Sequence, residues 1–175
     1  MGVNNMEYCK DLTKNHPTIF LYPESIECVN YLLNNEGCDI DPSPFFGSGV
    51  EVINGDKLEG SIAVATGRGL HRKAKSMDVI FGVKDKKTSA ETYQFIELKL
   101  NSKSFYFLDK DSFSEKVIGS TNALGNLRTI NTKYYIVFKV SNLQVGRRYL
   151  FRKHPRLDSS YNAVDINGLF NTFFL

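Results

Sequence analysis

Polar and apolar positions change period several times along this chain, and each change marks an element. Over residues 23–36, Ile26, Val29 and Leu33 recur at helical spacing and Gly37 stands where a left-handed cap falls, so the pattern predicts an amphipathic helix. After the loop Asp41-Pro42-Ser43-Pro44, the runs Val50-Glu51-Val52-Ile53 and Ser61-Ile62-Ala63-Val64 flank Asn54-Gly55-Asp56 and read as a hairpin about an Asn-Gly turn. A polar loop with Gly67 and Gly69 follows. Residues 78–83 and 92–100 read as two strands joined by the charged turn 84–91. Ser112 and Glu115 have capping-box spacing ahead of a helix that ends near Gly125. Residues 134–140 are almost continuously apolar and rich in β-formers, as in an inner strand covered on both faces. Residues 147–152 are read as another strand, and 163–175 close the chain with an aromatic cluster.

Together these elements predict one domain over residues 1–175, of the α/β class, with a mixed central β-sheet flanked by helices. The longest apolar runs, Val79-Ile80-Phe81 and Phe173-Phe174-Leu175, fall far short of the ~20 residues a membrane helix needs. The segment Met1-Gly2-Val3-Asn4-Asn5 has neither the basic start and apolar stretch of a signal peptide nor the residues of a myristoylation motif, so a cytoplasmic protein with no membrane partner is expected. Cys9, Cys28 and Cys38 are odd in number and form no CxxC pair, which argues for reduced thiols over a disulfide framework or zinc site.

The net charge of +3 conceals an asymmetry: residues 1–60 carry three basic and ten acidic groups, whereas residues 61–175 carry 19 and nine. The downstream basic residues gather at Arg68, Arg72, Lys73 and Lys75, at Lys84, Lys86 and Lys87, and at Arg147, Arg148, Arg152, Lys153 and Arg156. Clusters of this kind suit a polyanion, although each alone is also what a solvated surface looks like.

The chemistry concentrates on the second hairpin. Side chains alternate along a strand, so Phe95, Glu97 and Lys99 share one face and Ile96, Leu98 and Leu100 the other. A turn centred between Lys87 and Thr88 places Asp78 directly opposite Glu97, where Cβ atoms lie only ~4.5–5.5 Å apart. Two carboxylates held that close repel unless one is protonated or a cation lies between them. Mg²⁺ is the natural occupant, because it binds through one or two carboxylates and takes phosphate oxygens and water as its other ligands. Lys99 on the same face is placed to act on a water or to stabilise a pentavalent phosphate.

Ser76-Met77-Asp78, 18 intervening residues, then Glu97-Leu98-Lys99 resembles the PD-(D/E)xK nuclease motif, with Met77 where proline is usual. The resemblance implies a restriction-endonuclease-like core, metal ligation by Asp78 and Glu97, and assistance to hydrolysis by Lys99. It also implies a Glu from an N-terminal helix; Glu27 is taken as that third metal ligand, with Glu24, Glu51 and Glu59 as competitors. A second (D/E)xK, Asp85-Lys86-Lys87, lies in a polar turn and reads as a solvated charge run. Arg68, His71, Arg72, Lys73 and Lys75 immediately precede Asp78 and are the expected nucleic-acid contacts.

The reading is thus a Mg²⁺-dependent endonuclease, foremost a small type II restriction enzyme acting on double-stranded DNA. A junction-resolving, repair or toxin nuclease, or a silent nucleic-acid-binding module, are the alternatives. One site per chain implies a homodimer for double-strand cutting, with the apolar end 169–175 open to two uses, the contact between subunits or packing within one. No P-loop, GxSxG elbow or HExxH helix competes.

Overall fold

In the computed structural model, which describes residues 5–102, 105, 108–125 and 129–175, the β-forming runs assemble into one mixed sheet. Residues 1–4, and Tyr106 and Phe107 of the aromatic run 105–107, lie outside the described residues. The strands are β1 (Met6–Tyr8), β2 (Ile26–Cys28), β3 (Glu51–Asn54), β4 (Val79–Asp85), β5 (Glu91–Lys99), β6 (Tyr134–Phe138) and β7 (Tyr161–Val164). The helices are α1 (Lys10–Lys14), α2 (Pro17–Leu21), α3 (Val29–Asn35), α4 (Ser43–Phe46), α5 (Gly55–Ala65), α6 (Asp111–Leu124), α7 (Leu143–Arg152) and α8 (Ile166–Phe173). The sheet order is β2-β3-β4-β5-β6-β7, with β1 paired to the far half of β4. Pairing is antiparallel as far as β5 and parallel for β5/β6 and β6/β7. Parallel neighbours need a crossover, and α6 and α7 supply one each.

The β4–β5 hairpin has the register expected of it, with Val79 opposite Ile96 and Lys84 opposite Glu91. Its turn is built by Asp85, whose carboxylate accepts from the N–H groups of Lys87 and Thr88 at 2.8 and 2.7 Å. β6 is an inner strand between β5 and β7, as its unbroken apolar run requires.

The sheet separates two apolar layers. On one face Val52, Val79, Phe81, Val83, Ile96, Leu98 and Val137 pack against Leu32 and Leu33 of α3, Phe46 of α4, and Ile166, Leu169 and Phe173 of α8. On the other, Ile53, Ile80 and Phe95 meet α1, α2, α5 and the end of α6. Ile136 and Phe138 on that same side meet Phe113 of α6 and Leu143 and Leu150 of α7.

Four local expectations are corrected by tertiary pairing. Residues 23–36 form a 3₁₀ turn (Pro23–Ser25), then β2, and only then α3, because Ile26-Glu27-Cys28 is recruited as the edge strand beside β3. The Asn-Gly pair starts a helix and makes no turn: Asn54 accepts from Lys57 N–H at 3.0 Å as an N-cap. Residues 147–152 belong to α7, whose buried Leu143, Gly146 and Leu150 show the helical repeat only when the window opens at 143. The Ser112/Glu115 capping box does not form; Asp109 accepts from Asp111 N–H and Ser112 N–H, while Glu115 turns to Lys75.

Part of the apolar chain end packs inside the subunit, while Leu175 stays exposed. Leu169 and Phe173 are buried, and Phe173 meets Phe81 edge-on at 5.4 Å between ring centroids. Phe173→Ala is expected to cost about 3–5 kcal/mol in urea unfolding, and truncation after Gly168 to abolish the cooperative transition. A truncated chain that still unfolds cooperatively as a monomer would remove α8 from the core.

Candidate active site

Asp78 directly precedes β4, and the Val79–Ile96 register sets it against Glu97 of β5. The segment before it is pinned by backbone packing. Met77 is fully buried, and its N–H donates to Ser120 Oγ of α6 at 2.8 Å. A Cβ at Gly55 would lie 2.0 Å from the Met77 carbonyl oxygen, and one at Gly119 would lie 1.9 Å from that of Lys75. Helices α5 and α6 therefore close on this segment only because both positions lack side chains. The buried Met77 side chain anchors the same stretch.

Asp78 Oδ2 accepts the Leu98 N–H at 2.7 Å, so the carboxylate itself continues the ladder where β4 begins. Asp78 Oδ1 faces Lys116 Nζ of α6 at 3.5 Å. Glu97 is completely buried; its Oε1 receives Lys99 Nζ at 2.5 Å and Lys116 Nζ at 2.6 Å. Its Oε2 is buried and has no hydrogen-bond partner among the described residues. Lys99 also lies 5.8 Å from the centroid of the Phe113 ring. The side chains of Asp78, Lys99 and Lys116 are each 19–24 % exposed, so the cluster opens to solvent on one side and rests on Glu97 on the other.

Burial and then the charge of Asp78 raise the Glu97 pKa to about 7, against the lowering pull of Lys99 and Lys116. Burial by itself would lower Lys116, but Glu97 and Asp78 outweigh it and hold the ammonium above the ordinary lysine value. The two tendencies oppose each other, because a protonated Glu97 would give Lys116 less to bind. At 2.6 Å Lys116 and Glu97 form an ion pair near neutral pH, and Glu97 is the group that gives way on acidification.

Glu36, which ends α3, is raised by burial and then by the charge of Asp78, while Lys99 and Lys116 lower it. Glu36 is thus one acid of the N-terminal part that feels the charge of Asp78. Glu27 does not join the cluster: its carboxylate takes Lys57 Nζ and Asn54 Nδ2, and it shares a sheet face with Val52 and Val79, opposite to that of Asp78. The competitors are engaged elsewhere, Glu24 with Ser61, Glu51 with Lys10 and Lys14, and Glu59 with Arg68 and Ala74 N–H.

The expected nucleic-acid stretch is largely neutralised. Arg68 pairs with Glu59 at 2.8 Å, Lys73 with Asp56 at 2.5 Å and Lys75 with Glu115 at 2.5 Å. His71 and Arg72 stay exposed. Sequence reading missed Lys116, yet it left a signal: Phe113, Lys116, Ser120 and Ala123 fall on one helical stripe, and a lysine within a buried stripe needs a carboxylate partner.

Among the described residues no group of three or more His, Cys, Asp or Glu side chains is arranged to hold a metal ion. A two-carboxylate site is what Asp78 and Glu97 provide, and the orphaned Oε2 of Glu97 is an acceptor that a hard cation would satisfy. No protein-family model, curated protein or solved structure matches the chain.

Because the folded state keeps the Glu97 proton to higher pH than the unfolded chain, this group's contribution to stability is full below pH 4.5 and is lost as pH rises through about 7. The swing is about 3 kcal/mol at most, from 4.5 to about 7. Urea unfolding at pH 5 and pH 8 in EDTA should show Glu97→Gln with less loss at the higher pH than wild type. Identical pH slopes for the two would mean that Glu97 is already ionised at pH 5.

Proposed function

We propose that this chain is a divalent-metal-dependent nuclease that hydrolyses phosphodiester bonds, with Mg²⁺ as the ion. The observation that carries the reading is the opposed pair Asp78 and Glu97, one acid tied into the β-ladder and the other buried with one oxygen unpartnered among the described residues, beside Lys99 on the same face. A bound divalent ion supplies Lewis-acid polarisation of the phosphoryl oxygen and lowers the pKa of a water. Asp78 and Glu97 would hold it and fix its position through the sheet. Lys99 would face the non-bridging oxygens and offset the charge that grows as water adds to phosphorus and the sugar oxygen departs. Lys116, which lies between the two carboxylates, would move to the phosphate once another cation takes its place.

Double-stranded DNA is the proposed substrate, on the strength of the motif resemblance. One site per chain cuts one strand, so paired cuts would come from two copies of the chain. A second reading rests on Lys116: with its ammonium already bridging the acids, the cluster is a self-compensated charge network and the domain binds nucleic acid without cutting it.

Incubation with plasmid DNA and Mg²⁺ separates the two. Cleavage stopped by EDTA, and reduced roughly 10²–10³-fold or more by Asp78→Ala, Glu97→Ala or Lys99→Ala with DNA binding retained, is the expected result. Full activity in the Asp78 or Glu97 variant would remove the assignment, and no cleavage under any divalent ion would favour the silent module.

A further inference from the structure

The sequence singles out Arg147, Arg148 and Arg152, which the site above does not use. With residues 147–152 in a helix, their arrangement differs from that of every basic cluster near Asp78. Arg148 and Arg152 lie one turn apart, about 6 Å along α7, on the same side of the helix. Both are exposed, and among the described residues no carboxylate comes within ion-pair distance of either, whereas Arg68, Lys73 and Lys75 are each paired. Arg147 is fixed differently: its Nε and Nη2 donate to the Ala163 carbonyl of β7 at 3.0 and 2.9 Å, which leaves three of its five N–H donors.

These three arginines wall a groove of about 510 Å³ beside β7, completed by Tyr135, Phe151 and Tyr161, and among the described residues no Asp or Glu lines it. Ala163 is in register with Ile136, and Ile136 with Glu97, so the Arg147 anchor stands in the same cross-sheet row as Glu97. Two strand spacings separate them, about 10 Å. Guanidinium groups one helical turn apart match the repeat of successive phosphates on an unstacked strand, and the half-buried Phe151, Tyr135 and Tyr161 beside them add aromatic surface, with Tyr135 backed by Phe173 and Tyr161 by Phe113 and Tyr134. A duplex presents phosphates without free base faces, so the rings favour a single strand.

From this we infer that the β7–α7 groove binds a single-stranded nucleic-acid segment adjoining the point of cleavage, its phosphates on Arg148 and Arg152 and a base against the aromatic wall. The inference rests on the reading that the chain acts on nucleic acid, and it replaces a fully paired duplex with DNA that carries an unpaired stretch within a few nucleotides of the cut.

The test is fluorescence anisotropy in EDTA with labelled oligothymidylate, a labelled duplex of equal length, and polyglutamate as competitor, for wild type and for the R148A/R152A and R148K/R152K variants. Circular dichroism melting checks that both variants fold, as exposed substitutions should. Expected are a tenfold or greater loss of oligothymidylate affinity in R148A/R152A, a salt slope shallower by about 1–2, and partial recovery in R148K/R152K. Equal affinity in wild type and R148A/R152A overturns the groove. Tighter binding of the duplex overturns the single-strand assignment, and displacement of oligothymidylate by polyglutamate at equal charge points to an acidic protein. Cleavage separates the two readings: a wild type that cuts DNA while R148A/R152A binds normally keeps the nuclease and loses the groove, and arginine-dependent binding without metal-dependent cleavage does the reverse.

Discussion

Two carboxylates forced into opposition by strand register are the constraint from which the rest of the site follows. Once Val79 pairs with Ile96, Asp78 and Glu97 face each other, and Glu97 does so from a position with no solvent exposure. An uncompensated pair there would cost several kcal/mol of desolvation. The fold meets that cost with Lys99 two residues along the same strand and Lys116 from the crossover helix. Helix α6 is consequently more than a connection between β5 and β6. Its Gly119 and Ser120 grip the backbone before Asp78, and its Lys116 completes the charge balance, so position and electrostatics depend on one docking event.

The same balance explains why basic clusters in the sequence are poor guides to basic surfaces in the fold. Helix α5 brings Asp56 and Glu59 to the loop after it, where they meet Lys73 and Arg68, and the first turns of α6 bring Glu115 to Lys75. The acidic excess of the first 60 residues is thereby spent on part of the basic excess that follows. Helix α7 lies at the opposite side of the sheet from β2 and β3, and its outward arginines meet no such partners among the described residues. Uncompensated positive charge ends up beside the edge strand β7.

That edge is managed at its backbone as well. Arg147 covers the Ala163 carbonyl, which blunts an otherwise open β-edge against pairing with another chain. On the other face α8 closes the core with Ile166, Leu169 and Phe173, and its rings interlock with Phe46 and Phe81. Large apolar residues at a chain end were open to two uses, and the unfilled space over β4–β6 decided between them.

The hairpin was legible in the sequence because everything it needs is local. A polar turn with Asp85 at its start, a period of two, and a pairing centre between Lys87 and Thr88 place Asp78, Glu97 and Lys99 without any distant information. Inner strand β6 was legible for a similar reason, since its composition reports burial on both faces. The states of 26–28, 54–65 and 143–152 were not. Asn54-Gly55 serves a turn or a helix cap equally well, and the choice falls to the Met77 carbonyl, which packs where a Gly55 side chain would be. Nor could the chain by itself turn Glu27 away from Asp78 or announce Lys116, because which side chains meet Asp78 depends on the pairing of β2 with β3 and on how α6 crosses the sheet. Local periodicity fixes which side chains share a face; only the docking of helices far apart in sequence decides which faces meet, because that choice is made by packing and charge compensation over the whole core.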